Sequence, residues 1–364
     1  MKEWTRREWL RMMGGGVAGI WLAACQPLAS SSGEGRAGPT PTIPESQATT
    51  LTTEGGSIEV GPIVDGIRVT TNADFYAVYY NVPEVQVNQD EWRLKVLGNV
   101  EHELTLSLAD IQSMPTVREM RTLECISNPV GGDLISNAVW EGVRMSDLLK
   151  QAGVKPGTRE IVIRSADEFH TSIPIELAQD EHALLVYMMN GEPLPVKHGA
   201  PLRALWPGRY GMKQPKWIVS IEAITGHHTG YWERQGWSND ALIKPNSQIE
   251  RPKSGERITT KPYRINGRAF AGRSGVAKVE VSVDGGQTWH EATLTRVQTK
   301  AFQPYVWTLW HWDWEDPSGE RVTIQARATD GDGVTQQDSG ARFLSDVFPD
   351  GTSAIHKVIV SVEV

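Results

Sequence analysis

Two cysteines, Cys25 and Cys125, are the only thiols in the 364-residue chain, and their contexts imply different chemistry. Cys25 follows a short apolar run near the N-terminus, whereas Cys125 lies much further along, within Thr122–Asn128. Disulfide frameworks usually join several cysteine pairs on small scaffolds, so a structural bridge between these two is not expected. A thiolate is a good ligand for a soft metal ion. We therefore interpret Cys125 as a metal ligand, with a small buried apolar side chain as the alternative, and Cys25 as a lipid attachment site.

Residues 1–25 have the features of an export signal. Arg6 and Arg7 form a twin-arginine pattern, and the apolar stretch Met12–Ala24 is too short to span a bilayer. Leu22–Cys25 resembles the lipobox of bacterial lipoproteins, whose diacylated cysteine provides a stable two-chain anchor. An ordinary signal peptide with a chance cysteine is the alternative. We predict a twin-arginine signal with a lipobox, export by that route, and a membrane-anchored lipoprotein on the extracytoplasmic side.

The export route also bears on cofactors. Twin-arginine export carries folded proteins, which favours a chain that receives a complex prosthetic group before export. Gly14, Gly16 and Gly19 match the dinucleotide fingerprint, but no strand precedes them, so NAD is not expected. The haem-attachment motif Cys-x-x-Cys-His is absent from the sequence, so no haem is expected. Electrons would then pass to or from a separate electron-transfer protein such as a cytochrome.

Composition indicates a tether between the signal and the folded part. Ser30–Thr53 is rich in Ser, Thr, Pro, Gly and Ala, so residues 26–60 are predicted to be a flexible linker. The chain has a net charge of −8, and the first 24 residues hold four Lys/Arg and two Asp/Glu, so removing them leaves −10. This acidic balance argues against nucleic acid as a partner.

Residues 61–253 are predicted to form an α+β domain, because short helix signals interleave with strand signals without a βαβ repeat. Ser107–Ser113 carries a capping pattern, and Ser146–Gly153 combines an apolar stripe with a terminal glycine. Pro174 is expected at the first position of a brief helix that ends at Ala178. The predicted strands are Trp92–Val96 and Ile161–Ile163.

Residues 254–364 are predicted to form an all-β sandwich of the immunoglobulin type. Apolar residues alternate with polar ones in several segments, and Asp-Gly turns separate these segments. Asp330 and Asp332 suggest a calcium loop, but the later ligands of such a loop are missing, so a hairpin turn is preferred. Four tryptophans are expected in the core or an interface: Trp307, Trp310, Trp312 and Trp314.

A series of ordered motifs runs along the first domain: Thr122–Cys125, Asn137–Val143, Tyr187–Pro195, His198–Arg203 and Pro207–Trp217. Together they resemble the sulfite oxidase family. Val283–Trp289 in the second domain resembles that family's C-terminal dimerisation domain. The resemblance implies a sulfite-oxidase-type molybdopterin domain followed by the sandwich, with a homodimer as one outcome.

The resemblance also implies a cofactor and its ligands. Members of this family bind one molybdenum through a single molybdopterin and one protein thiolate, and Cys125 matches that metal ligand. The segment Tyr76–Tyr80 corresponds to a strand that passes the cofactor. The matching cofactor-binding residues, with Gln214 and Pro215 acting through backbone groups, are Asp167, His198, Arg203, Gln214, Pro215 and Lys216.

The substrate pocket departs from the family pattern. Val78 stands where sulfite oxidases have an arginine, and Ile126–Val130 lacks a second basic pair. The position of the family's pocket tyrosine holds Thr229, so Tyr231 is the candidate catalytic tyrosine and Trp140 a candidate pocket wall. Arg209 could supply a substitute cation. Because arginines clamp divalent oxyanions, their loss predicts weak capture of sulfite.

The sequence thus predicts an exported molybdenum oxidoreductase that transfers an oxygen atom to or from a small oxo-acceptor or oxo-donor. Sulfite dehydrogenase and sulfoxide reductase both remain open. A different class is also open, namely a surface lipoprotein that keeps the fold as a binding module without redox chemistry.

Overall fold

The computed structural model describes residues 63–80, 85–338 and 347–364, together with the backbone of residues 52–53 and 56–57. The predicted signal, Cys25 and most of the predicted linker lie outside these described residues. None of the helices in the described part of the chain combines the length and apolarity needed to cross a bilayer.

Strands dominate the fold, and the helices are short. The helices are α1 Leu108–Gln112, α2 Met145–Ala152, α3 Ile175–Ala178 and α4 Tyr231–Arg234. The 3₁₀ turns are Val196–His198, Gly211–Lys213, Gly272–Ser274 and Lys300–Tyr305. The strands are β1 Thr52–Thr53, β2 Gly56–Ser57, β3 Ile63–Val64, β4 Ile67–Arg68, β5 Leu94–Gly98, β6 Leu104–Leu106, β7 Thr116–Glu124, β8 Ile135–Arg144, β9 Glu160–Ser165, β10 His170–Pro174, β11 Leu184–Met189, β12 Glu192–Pro193, β13 Arg203–Leu205, β14 Ile218–Ile224, β15 Asn246–Arg251, β16 Arg257–Ile258, β17 Tyr263–Phe270, β18 Val276–Ser282, β19 His290–Glu291, β20 Thr293–Thr295, β21 Thr308–Trp314, β22 Val322–Asp330 and β23 His356–Val362.

Two five-stranded sheets form the first domain. One has the order β10-β9-β14-β5-β6, and the other has the order β12-β11-β8-β7 with β13 paired to β11. Apolar side chains from the first sheet, the short helices and one face of β11 share a large buried core. Several strands of both sheets end near one another, and this is where the candidate site residues lie.

Local sequence signals account for the short helices. Ser107 caps α1 in a capping box with Asp110, as predicted. Gly153 ends α2 in the left-handed conformation (φ 65°), which glycine adopts without a steric cost. Pro174 is the residue before α3 rather than its first residue, because it still pairs with Glu160 as the last residue of β10.

A sandwich of two sheets forms the second domain, with strand orders β15-β17-β21-β20 and β16-β23-β22-β18-β19. Val279, Val281 and Ile324 point into its core, as their alternation predicts. The turn after β22 is a hairpin: Asp330 accepts hydrogen bonds from the backbone N–H groups of Asp332 and Val334. These bonds agree with the preferred turn interpretation. Trp310 and Trp314 belong to the sandwich core, while Trp307 belongs to a cluster shared with the first domain.

The domains meet through a buried apolar cluster. Met120 and Ile135 of the first domain pack in it with Phe270, Val306 and Trp307 of the second. The Trp307 backbone N–H also donates to Thr122 Oγ1 at 2.9 Å. β15 pairs with β17 in the sandwich, although β15 precedes the predicted boundary between residues 253 and 254.

One predicted element differs from the observed structure. The segment Tyr76–Tyr80 is not a strand; it is irregular backbone. The Tyr76 N–H donates a hydrogen bond to Ser136 Oγ at 3.2 Å, which ties this segment to β8. The strand that the resemblance implied is thus absent, although Tyr76, Ala77, Val78 and Tyr80 do line the cavity.

Candidate active site

Cys125 lies directly after β7, at a turn where the chain leaves the sheet. Its backbone N–H donates to the Leu134 carbonyl, and its carbonyl accepts from the Asn128 N–H at 3.0 Å. The Sγ atom is 3.1 Å from Ser127 Oγ. Burial raises the pKa of the thiol, which the Ser127 hydrogen bonds partly offset. A bound metal cation would displace the proton, since metals bind thiolates.

An open cavity reaches Cys125. The residues that line it are Phe75, Tyr76, Ala77, Val78, Tyr80, Leu123, Cys125, Ile126, Ser127, Asp167, Phe169, Lys197, His198, Arg203, Gly211, Met212, Gln214, Pro215, Lys216, Trp217, Trp232 and Trp237. All six predicted cofactor-binding residues are among them.

The basic residues that line the cavity form one connected group, here called the cationic group: Lys197, His198, Arg203 and Lys216. Arg203 Nη1 donates to the His198 carbonyl at 3.1 Å, and Lys216 Nζ donates to the Lys197 carbonyl at 3.2 Å. These contacts bring the four basic residues to one part of the wall. Such a cluster suits a phosphate.

Arg203 is a buried member of this group, with 6% of its surface exposed. Burial lowers the pKa of its guanidinium to about 10, so it keeps its charge at neutral pH. Its Nε atom is buried and has no partner among the described residues. An unpaired buried donor is costly, and an anion in the cavity would satisfy it.

Gly199 allows Arg203 and Lys216 to lie close together. Gly199 has a φ of +114°, and a Cβ atom there would lie 2.9 Å from Lys216 Cβ and 3.0 Å from Arg203 Cβ. Any larger residue would push the two cations apart and strain the backbone.

His198 is neutral in this arrangement. Burial lowers its pKa to about 3, and its Nε2 atom lies 2.9 Å from the Asn72 carbonyl. Nε2 must therefore carry the hydrogen and donate to that carbonyl, which leaves Nδ1 as an acceptor. His198 becomes a second donor to a phosphate, as predicted, only after a nearby anion raises its pKa.

The other predicted cofactor-binding residues differ in what they can offer. Asp167 lies in the turn between β9 and β10, and burial raises the pKa of its carboxyl group. Gln214 donates its backbone N–H to the Gly211 carbonyl, and its side chain bonds Trp206 and Arg209 backbone atoms. Pro215 has no N–H. Neither Gln214 nor Pro215 therefore provides an uncommitted backbone N–H, and they shape the wall by contact.

The region beside Cys125 is apolar. Ile126, Met212 and Trp237 line the cavity and pack together in one buried cluster, with Trp232 against it. We call these four residues the apolar group. Val78 also lines the cavity, as the substitution for arginine predicts.

Two candidate catalytic residues do not reach the cavity wall. Tyr231 packs behind Tyr80, with ring centroids 4.2 Å apart, and its neighbour Trp232 faces the cavity instead. Trp140 is completely buried in the core, where its ring supports the Arg203 guanidinium from 5.2 Å. Tyr231 and Trp140 are thus supporting residues, because α4 and β8 turn them away from the cavity.

Three other polar residues, Arg209, His227 and His228, also have contacts of their own. Arg209 does not line the cavity; burial lowers its pKa, and its carbonyl accepts from Gln214. His228 Nε2 lies 2.9 Å from His170 Nδ1, and His227 bonds Glu160. The described residues include no group of three or more His, Cys, Asp or Glu side chains able to hold a metal ion.

The sequence alone did not indicate three aromatic residues of the cavity wall, Phe169, Trp232 and Trp237. It also did not indicate Ser127, the hydrogen-bond partner of the Cys125 thiol. Ser127 could have been predicted, because it follows Cys125 by two residues. The aromatic residues carried no local signal, since a tryptophan in a loop is as consistent with packing as with a cavity wall.

The observed donors fit a molybdenum–molybdopterin cofactor. The cavity joins one cysteine thiol to a group of cations that includes an unsatisfied buried arginine donor. A pterin phosphate at the cationic group and a metal at Cys125 would use both.

Comparisons with known proteins agree with this arrangement. Residues 79–232 match the oxidoreductase molybdopterin-binding domain, and residues 240–362 match the Mo-co oxidoreductase dimerisation domain. Human mitochondrial sulfite oxidase is 29% identical over 338 residues, which cover 81% of this chain and 62% of that protein. The chain thus spans about three fifths of the length of this relative.

Two further relatives inform the assignment. The uncharacterized oxidoreductase YuiH of Bacillus subtilis (strain 168) is 35% identical over 147 residues, covering 40% of this chain and 72% of that protein. The sulfane dehydrogenase SoxCD from Paracoccus pantotrophus shares the fold, with a TM-score of 0.66 at 24% identity over 77% of this chain and 80% of that one. These findings confirm the predicted fold class, a sulfite-oxidase-type domain followed by a β sandwich. The chain therefore belongs to the sulfite oxidase family of molybdopterin-binding oxidoreductases.

Proposed function

We propose that this oxidoreductase transfers an oxygen atom to or from a small substrate that is less charged than sulfite. The observation that carries the proposal is the separation of charge in one cavity. The basic residues among the described lining residues all belong to the cationic group, whereas the apolar group begins at Ile126, next to Cys125, and Val78 adds further apolar lining. The cations suit a cofactor phosphate, and the substrate meets an apolar wall.

The chain supplies position and electrostatics. Arg203 and Lys216 would hold the phosphate, Asp167 would face the pterin, and Cys125 would bind the metal. When bound, the molybdenum centre supplies two-electron oxygen-atom transfer. Tyr80, Phe169 and the apolar group restrict water around the substrate, which strengthens the remaining electrostatic contacts. Uncharged sulfoxides fit such a wall better than a dianion does.

We also propose how the enzyme is assembled and placed. Its electrons pass to or from a separate protein such as a cytochrome, and the cofactor set contains no haem and no NAD. Two copies associate through the second domain; the match to a dimerisation domain supports this. The twin-arginine pattern and Leu22–Cys25 support export and lipid anchoring on the extracytoplasmic side.

The proposed activity is tested with purified enzyme made with its export signal. Reduction of dimethyl sulfoxide is measured with a dye donor, and oxidation of sulfite with a dye acceptor. Sulfoxide turnover with poor capture of micromolar sulfite is expected. Efficient oxidation of micromolar sulfite, with no sulfoxide turnover, would contradict the proposed substrate class.

The proposed anchor has its own test. Cys25→Ser should move the protein from the membrane fraction to the soluble fraction, because the acyl chains provide the attachment. Specific activity should stay unchanged, since Cys25 is far from the site in sequence. Fractionation followed by activity assay checks both, and continued membrane association would argue against lipidation.

A further inference from the structure

A buried ion pair lies directly behind the cavity wall. Lys213 Nζ is 2.5 Å from Glu233 Oε1, and the two side chains are only 3% and 4% exposed. Lys213 sits between Met212 and Gln214, which both line the cavity, yet Lys213 itself does not. Its charge is therefore directed away from the substrate side.

Glu233 binds the Lys213 ammonium on the side away from the cavity. It follows the cavity residue Trp232 on α4, and its Oε1 atom also accepts from Thr171 Oγ1 at 2.9 Å. Its second oxygen, Oε2, is buried and has no partner among the described residues. The carboxylate thus joins three pieces of the wall: α4, β10 and the 3₁₀ turn that carries Lys213.

Stability alone does not account for this pair. Replacing a buried ion pair by apolar residues of similar volume is often neutral or stabilising. Two methionines at these positions would fill the space without the cost of dehydrating two charges. The presence of the pair is explained if the lysine charge must be held in one place.

The released lysine would have access to the cavity. Consecutive Cα atoms are about 3.8 Å apart, so the Lys213 backbone is next to two lining residues. The lysine side chain is a flexible four-carbon stem with a compact charge. Without its counter-ion, a buried ammonium is unfavourable, and the open cavity lined by Met212 and Gln214 is adjacent to it.

We propose that Glu233 is a specificity-determining residue: it holds Lys213 behind the wall and so keeps the apolar side of the cavity free of a cation that would capture oxyanions. This inference rests on the proposed substrate class, since an enzyme for oxyanions would gain from the lysine. The unmodified enzyme excludes dianions by sequestering a charge as well as by lacking arginine at Val78.

Sulfate titration of the molybdenum-loaded protein tests this directly. Sulfate binding is measured by calorimetry at constant ionic strength in the unmodified protein, Glu233→Gln and Glu233→Met. Glu233→Gln keeps the side-chain shape, and Glu233→Met leaves no acceptor for the lysine. We expect at least about a tenfold gain in sulfate affinity in Glu233→Met and a smaller gain in Glu233→Gln, because a charge-assisted contact is added.

Two controls separate the lysine from a loosened wall. The double variant Lys213→Met/Glu233→Met differs from Glu233→Met only in the lysine, and it should bind sulfate as weakly as the unmodified protein. Glu160→Gln weakens another anchor of the same loop, at His227 and His228, without releasing a lysine. It should show no gain.

The inference is overturned if neither Glu233 variant gains affinity, or if the double variant or Glu160→Gln gains as much. The titration needs no turnover, so its result is independent of whether the enzyme reduces sulfoxides. Efficient sulfite oxidation by the unmodified protein would remove the proposed substrate class, while a lysine-dependent gain in Glu233→Met would still show the sequestered charge.

Discussion

The cationic group and the apolar group line the same cavity but satisfy opposite physical demands. Arg203 stays charged although it is buried, and its Nε atom lacks a partner among the described residues. In the apolar group, Ile126 and Met212 pack with Trp237 as an ordinary core would. The first arrangement leaves a buried donor that an anion would satisfy, whereas the second is held by apolar packing. On the proposed function, cofactor retention and substrate choice are therefore separable.

Cys125 links the two groups, and its loss should have the largest effect. Cys125→Ser is expected to abolish oxygen-atom transfer, because a hydroxyl is a poor ligand for a metal already held by sulfur. The cationic group remains, so the pterin should still bind in part. Dye-linked turnover, metal analysis and pterin fluorescence check these outcomes; full activity in this variant would show that Cys125 is not the ligand.

The next effect concerns the cationic group alone. Arg203→Met should weaken cofactor retention about 10- to 100-fold, since a charge-assisted contact contributes about 1.5–3 kcal/mol. The residual enzyme that keeps its cofactor should have a nearly unchanged KM for substrate. Pterin content after dialysis is the measurement.

Trp140→Phe is the matched control for Arg203→Met, because it alters the ring behind the guanidinium without removing the charge. It should keep most of the cofactor. Equal cofactor loss in both variants would mean that packing, not charge, holds the phosphate.

A third change converts part of the apolar side into a cationic one. Val78→Arg should lower the KM for sulfite about tenfold, because it adds one charge-assisted contact to the oxyanion. The KM for a neutral sulfoxide should rise or stay the same. Steady-state kinetics on both substrates check the split, with Val78→Met as the uncharged control; equal sulfite kinetics in the two variants would contradict the charge argument.

The last effect concerns the stability of the cofactor-free protein and leaves the chemistry of the loaded enzyme untouched. The folded-state pKa of His198 is about 3, below its ordinary value of 6.5, so the unfolded chain binds the extra proton first. Stability is therefore fully present above about pH 6.5 and falls as pH drops toward 3, by at most about 1.4 kcal/mol per pH unit.

Denaturant titrations between pH 7 and pH 4 measure that dependence. His198→Asn should flatten the decline, because asparagine does not titrate. The loaded enzyme should also decline less, since the phosphate raises the His198 pKa. An unchanged acid dependence in His198→Asn would assign the decline to other groups.

Much of the fold follows from local signals in the sequence. The capping box at Ser107 and Asp110 and the glycine stop at Gly153 define short helices, and the alternation through Val279 and Val281 defines a core strand. These signals work because hydrogen bonds and apolar faces within a few residues determine the local backbone. Tyr76–Tyr80 is the exception: the family resemblance implied a strand, but the segment is irregular backbone along the cavity.

The candidate site also contains residues that the sequence could predict and residues that it could not. Cys125, Arg203 and Lys216 could be predicted from the sequence, because each occupies a motif whose residue types match the cofactor chemistry. Trp140 and Tyr231 could not be placed correctly. Which face a side chain presents depends on the packing of distant strands, and here that packing turns both rings away from the cavity.

The sequence by itself determined the single downstream thiol at Cys125, the cationic motif and the valine at position 78. Only the tertiary structure decided that the cations gather on one part of the wall and that an apolar group lies beside Cys125. It also brought Lys213 to Glu233 from 20 residues away. The physical reason is that residue type fixes the chemistry a side chain can do, whereas contacts between distant segments fix its neighbours, its burial and therefore its charge.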